Sequence, residues 1–278
     1  MSRNSVAKIQ ELDELDQLAQ FAAKEIIRIA QTTSVGYVQL SPIYSFFGIQ
    51  IQRKNILHDG IIESDGNSYK VTLNSKMSFQ RQRYTAAHEL GHYVLDKVQL
   101  PEKFKRIQNL SQIELFCDKF AAYLLMPFDL LDPPSSWEKI SKKWLTSKAN
   151  QLQISIIALS RMLVKNLPSV GGFLSLRHSG KPKDSADRKW RVDFSEFPQE
   201  KVNFFLPKHK HLGEELEFFE CLRNNSGEFI GWSSFVSTKK KKYIHSIYIK
   251  QKNLIVLFFY PEEVAKRYVQ DGLYEKLF

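Results

Sequence analysis

Two histidines four residues apart with a glutamate beside the first, His88-Glu89-Leu90-Gly91-His92, are the sharpest chemical signal in this 278-residue sequence. On a helix that spacing sets both imidazoles on one face, one turn apart, where they can share a metal ion. Glu89 is then placed to take a proton from a water that the metal has activated, as the general base of a hydrolysis. The metal would lower the pKa of that water and polarise the carbonyl under attack. Five residues of this kind recur by chance. Here they lie in a run, Phe79 to Leu95, in which Tyr84, Ala87, Gly91 and Leu95 recur near helical spacing, as a helix bedded in a core requires.

A catalytic zinc ion generally takes three protein ligands and leaves one position to water, so a third ligand must come from elsewhere. The run from Glu114 to Pro127 offers Glu114 and Asp118, one helical turn apart on one face. Glu114 is read as the third ligand. Asp118 is read as the carboxylate that orients a ligating imidazole through its other ring nitrogen. A competing reading makes Ser111-Gln112-Ile113-Glu114 a capping box, in which Glu114 merely holds the Ser111 amide; beside the histidine pair the ligand role is preferred. Cys117 is a soft ligand type but lies about a third of a turn from both carboxylates, and is read as a small buried residue. His58, His178, His209, His211 and His245 lack ligand spacing to the motif and are read as structural. The residue that would steady a tetrahedral oxyanion cannot be picked from the sequence.

The elements that must position these groups follow from periodicity. Leu12, Leu15, Leu18, Ala22, Ile26 and Ile29 recur at helical spacing, which predicts one long helix over Ile9–Gln31. A second apolar stretch runs from Pro42 to Phe47, then a short strand at Ile49–Ile51. Ile61–Glu63 and Tyr69–Leu73 flank Ser64-Asp65-Gly66-Asn67 as a hairpin, with Tyr69, Val71 and Leu73 alternating as in a strand with one buried face. Helices are expected over Ser78–Leu95 and Ser111–Leu125, the latter stopped by Pro127. After Pro133-Pro134, Trp137–Leu152 and Ser155–Leu167 read as a helix-turn-helix-like pair. From Gly171, runs at Gly172–Leu176, Trp190–Phe194, Val202–Leu206, Leu216–Leu222, Phe229–Val236, Tyr243–Lys250 and Leu254–Tyr260 read as strands, before a helix at Glu262–Gln270. The fold class is α+β.

A hydrophobic content of 43% with 25% charged residues is that of a globular chain, and 12 Gly with 10 Pro exclude a low-complexity one. No export signal or membrane-spanning run is legible, so a cytoplasmic protein without a membrane partner is expected. Two distant cysteines, Cys117 and Cys221, make neither a disulfide framework nor a four-thiolate zinc site. The net charge of +10 suits an acidic partner such as nucleic acid, and Leu131–Pro168 carries +4 of it. There Lys139, Lys142, Lys143 and Lys148 could face phosphates, with Ser155, Ser160, Arg161 and Lys165 on the second helix. Ile154, Ile156, Ile157, Leu159, Met162 and Leu163 crowd that second helix, so packing or repressor docking is preferred while direct DNA binding stays open. Lys239–Lys242 is read as a solvated hairpin tip.

In these blocks the chain resembles the ImmA/IrrE family of zinc metallopeptidases. The matching segments are the long first helix, Gly48-Ile49-Gln50-Ile51, Asp59-Gly60-Ile61, Tyr69-Lys70-Val71, Arg83 through His92, and Glu114 through Pro127. Where the family has phenylalanine, leucine and asparagine, this chain has Tyr84, Ala86 and Asp118. The resemblance implies a zincin-like metallopeptidase domain over 1–130, a helix-turn-helix-like segment over 131–168 and a strand-rich, GAF-like sensory domain over 169–278. It also implies a zinc endopeptidase that cleaves and inactivates a helix-turn-helix transcriptional repressor, relieving a stress or mobile-element regulon. In zincins an extended substrate pairs with an edge strand beside the metal helix, and Tyr69–Leu73 is expected to be that edge. The competing reading is a non-proteolytic regulator that binds a repressor or DNA around a structural metal.

Overall fold

The apolar stripe that begins the sequence forms one helix, α1 (Arg3–Ala30), which starts six residues before the expected Ile9. In the computed structural model the described residues are 3–30, 36–66, 68–97, 109–131, 140–178, 190–198, 206, 208–235 and 238–270. The expectations at Pro133-Pro134, at Trp137 and over 202–205 lie outside them. By contact the chain divides into two units, Met1–Asp132 with Lys148–Ser155, and Pro133–Ser147 with Ile156–Phe278. Both mix helix and sheet, so the fold is α+β. No helix among the described residues is long and apolar enough to cross a membrane.

In the first unit, α2 (Leu40–Phe46) carries Pro42 in its first turn, where the missing N–H costs no helical bond. Strands β1 (Gln50–Lys54), β2 (Gly60–Ser64) and β3 (Tyr69–Asn74) follow. The expected hairpin joins β2 to β3. Gly66 supplies a φ of +91° in its turn, and Asp65 accepts from the Ser68 amide at 2.7 Å. The sheet order is β1-β3-β2, with β1 parallel and β2 antiparallel to β3. Thus β3 is the central strand, and the edge role expected of Tyr69–Leu73 falls to β2. Burial explains the difference, since Val71, Thr72, Leu73 and Asn74 are consecutively buried as in a strand covered on both faces, whereas β2 is largely exposed.

Helices α3 (Phe79–Lys97) and α4 (Leu110–Leu125) match the two predicted helices within two residues at each end. Ala86, Ala87, Leu90 and Val94 of α3 are buried, as are Phe116, Phe120, Ala121 and Leu124 of α4, and α1 buries Leu15, Leu18, Ala19, Ala22 and Ile26. Asp16 of α1 ties down α4 by accepting from Lys119 Nζ at 2.7 Å and Tyr123 Oη at 2.6 Å. Gly91 lies where α3 meets α4, and a Cβ there would stand 3.0 Å from Cys117 Cα. Gly91→Val should therefore destabilise the chain by about 1–3 kcal/mol, read as a lower denaturant midpoint, because the obstacle is backbone and not a flexible side chain. A short α5 (Phe128–Leu131) follows Pro127.

Helix α6 (Lys142–Gln151) spans the division between the units, and α7 (Ile156–Asn166) begins after a turn in which Gln153 takes a φ of +56°. On α7, Ile156, Leu159, Ser160, Met162, Leu163 and Val164 are buried. The second unit's sheet is antiparallel: β4 (Gly172–His178), β5 (Trp190–Glu196), β6 (His211–Leu212), β7 (Glu228–Phe235), β8 (Thr238–Ile249) and β9 (Leu254–Phe259), in the order β6-β5-β4-β9-β8-β7. Every residue of β9 is buried, as its place between β4 and β8 requires. Helix α8 (Glu262–Gln270) follows.

Two expectations change here. Leu216–Leu222 is not a strand, since Glu217–Leu222 forms a 3-10 helix that buries Phe218, Phe219 and Cys221. Lys239–Lys242 does not form a hairpin tip either: β8 already begins at Thr238, opposite Phe235, so the lysines belong to the strand. Lys241 pairs with Glu217 at 2.9 Å.

Candidate metal centre

Helix α3 carries His88, Glu89 and His92, and α4 carries Glu114 and Asp118; all five line one open cleft of about 570 Å³ whose other wall is Asp59–Ile62. Glu114 Oε2 lies 3.3 Å from His88 Nε2, and Glu114 Oε1 lies 3.6 Å from His92 Nε2. The capping role that competed for Glu114 is taken elsewhere. Asn109 caps α4, accepting from the Gln112 amide at 2.9 Å while Gln112 Oε1 accepts from the Asn109 amide at 3.4 Å. The box begins two residues before the expected Ser111, so Glu114 keeps both oxygens for the histidines.

His88 Nδ1 donates to Asp118 Oδ1 at 3.0 Å, since a carboxylate can only accept, and in the neutral ring this makes Nε2, on the side of Glu114, the unprotonated nitrogen. Tyr84 donates to the same oxygen at 2.9 Å. Burial opposes protonation of His88, but the Asp118 bond and charge, with Glu89 and Glu114, outweigh it and raise the pKa above the ordinary imidazole value. For His92 burial and the nearby His88 lower it, against the pull of Glu114. Glu89 is 8% exposed. Burial, and after it Glu114, hold its carboxyl above the usual range, although His88 and a bond from the Ile62 amide act the other way. Gly60 on β2 makes room for this arrangement, since a Cβ there would stand 2.4 Å from Thr85 Cγ2 and 3.3 Å from Glu89 Oε1.

Two imidazole nitrogens and a carboxylate converging over 3.3–3.6 Å form a donor set suited to zinc or a similar divalent ion. A second grouping involves Cys117: one ligand atom from each of His88, His92 and Cys117 lies within 4.8 Å of the others. Sequence periodicity set this thiol aside, and only the helix crossing at Gly91 brings it near. It is fully buried, and burial pushes its pKa well up. Arg81 and Tyr84 also reach the cleft as hydrogen-bond donors that spacing could not single out; Arg81 pairs with Asp59, and Tyr84 with Asp118. Of the histidines read as structural, His178 meets Trp190 edge-on at 5.2 Å, and His245 is buried with Nε2 2.8 Å from Glu228.

Residues 47–152 match the family Peptidase_M78, the IrrE N-terminal-like domain. No curated protein sequence matches the chain. Among solved structures, a "Mycobacterium tuberculosis transcriptional regulator" is similar at 11% identity, over 92% of this chain and 82% of that one, with a TM-score of 0.48.

Proposed function

We propose, from its place in the ImmA/IrrE family through the IrrE N-terminal-like domain at residues 47–152, that this chain is a zinc-dependent endopeptidase that cuts and inactivates a helix-turn-helix repressor. The observation that carries the reading is the convergence of His88, His92 and Glu114 beside a buried Glu89. His88, His92 and Glu114 would hold the ion. When bound, zinc would supply Lewis acidity to the scissile carbonyl and acidify the attacking water.

The chain's own residues do the rest. Glu89 takes the proton of the attacking water and passes it to the leaving amine, and its raised pKa suits a group that must hold that proton between the two steps. Asp118 fixes the tautomer and ring orientation of His88, and Tyr84 steadies Asp118. The edge strand β2 borders the cleft through Gly60, Ile61 and Ile62, so an extended segment adding to that edge would cross the site. Such a geometry selects unfolded or linker segments over folded ones.

In this reading residues 1–130 are the zincin-like peptidase, 131–168 the helix-turn-helix-like segment and 169–278 a regulatory, GAF-like domain of a cytoplasmic protein. Packing accounts for α7 better than base reading does. Ser160 is buried and bonds the Ile156 carbonyl at 2.9 Å, while Arg161 pairs with Glu196 at 2.8 Å, which removes two of the four polar positions available for DNA. A structural metal is favoured by one observation, the nearness of Cys117, because a fourth protein donor would close the site. The direct test incubates the chain and zinc with helix-turn-helix repressors of its own source organism and follows new N-termini by mass spectrometry. Cleavage of one of them within one linker is expected; every repressor left whole would remove the reading.

A further inference from the structure

Half a turn round α3 from both histidines, Arg83 is a buried cation for which no carboxylate partner occurs among the described residues. It is 8% exposed. One terminal nitrogen donates to the Val38 carbonyl at 2.8 Å, the guanidinium lies 5.2 Å from the centre of the Tyr37 ring, and Nε has no hydrogen-bond partner. Burial lowers the pKa to about 10, so the group stays charged at neutral pH. A carbonyl and a ring face satisfy part of its donor fork, but they do not neutralise a desolvated charge, and such a charge is costly unless paired.

Arg83 opens on a cavity of about 230 Å³ in the first unit. Its described lining holds Arg53 as a second arginine and no acid, with Gln39 and Ser41 as further polar groups. Two large apolar side chains that water does not favour also line it, Phe79 at 56% and Ile51 at 38% exposure. The volume is below the roughly 300–1,000 Å³ of sites for drug-sized ligands, so it takes one short group. We propose that this cavity binds the carboxylate of an organic acid, paired with Arg83, whose apolar part lies against Phe79 and Ile51. A guanidinium fork matches a carboxylate's two oxygens, and the apolar lining selects an acid with a hydrocarbon body over a bare inorganic anion. That chemistry has two sources, a free branched or aromatic acid and the C-terminal residue of a polypeptide. The inference stands apart from the peptidase reading, since the cavity shares no lining residue with the metal cleft.

The test titrates the full chain with N-acetyl-leucine, with its neutral amide, and with a pentapeptide ending in leucine, by calorimetry. Both carboxylates should saturate and the amide should not. A pentapeptide at least about tenfold tighter than the single residue identifies a polypeptide end as the source, and equal affinities identify a small acid. Arg83→Met should weaken binding about tenfold or more, because the charge-assisted pair is lost. Phe79→Ser, at an exposed position that leaves the core intact, should weaken it several-fold and keeps the test decisive should Arg83→Met not fold. Acid and amide binding alike, undiminished binding in a folded Arg83→Met, or no saturation below about 10 mM would each overturn the proposal.

Discussion

Glu89→Gln should remove peptide hydrolysis while leaving zinc bound. The amide keeps the size of the carboxylate, and its oxygen can still accept from the Ile62 amide, so the buried packing between α3 and β2 survives. It cannot take a proton from water. General-base catalysis is worth about 10²–10⁴-fold, and that is the expected fall in kcat, with KM little changed because Glu89 holds no part of the substrate in this mechanism. Because Glu89 is next to His88 but is not one of the converging donors, the zinc content of the purified variant should remain at one equivalent. Retention of full cleavage would exclude Glu89 as the base; loss of cleavage together with loss of metal would make it a structural residue of the site instead.

The shared facing of these side chains was legible because spacing on a helix is geometry: a separation of four puts His88 and His92, or Glu114 and Asp118, on one face whatever the tertiary structure does. Register against a neighbouring element is not local in that sense. Asn109-Leu-Ser-Gln112 and Ser111-Gln-Ile-Glu114 both read as capping boxes, and choosing between them depends on which face of α4 the core takes, which α1 and α3 decide. The hairpin at Asp65-Gly66 was plain, yet nothing in it says which strand gains a second neighbour. Parallel pairing of β1 with β3 is a long-range event. In the second unit the run Leu216–Leu222 is apolar without alternation, and such a run fits a buried strand and a buried helical turn equally well; Phe218, Phe219 and Cys221 settle into the core as the latter. Cys117, read as a small buried residue, is one. Arg83 escaped because its significance comes from burial and from the absence of a neighbouring acid among the described residues, and neither is a spacing.

Glu114→Ala should weaken zinc binding by more than about 10²-fold, and Cys117→Ser should change it little. Losing an outer partner of a ligand costs about 10–100-fold, and losing a ligand costs more. The two candidates differ in chemical state. Thiolate, not thiol, binds zinc, and burial holds the Cys117 thiol protonated while its sulfur sits 3.1 Å from where a Gly91 Cβ would stand. Glu114 is already a half-exposed carboxylate facing both Nε2 atoms. Cobalt substitution reads the difference directly, since a sulfur ligand adds an intense charge-transfer band that Glu114 cannot produce. The band's presence, and its loss in Cys117→Ser, would turn the site into a closed structural one. Protons compete with the metal for His88, whose pKa in the metal-free chain is raised because Asp118, Glu89 and Glu114 together outweigh its burial. The sign follows: zinc affinity is full above that raised pKa and falls as pH drops through it, beginning above the ordinary histidine value. Asp118→Asn removes the largest raising influence while loosening the ring. Its affinity deficit, about 10–100-fold at high pH, should therefore narrow as the medium is made acidic, which competition against a chromophoric chelator over about pH 5–8 will measure. A deficit constant across that range would mean that Asp118 orients His88 without controlling its proton.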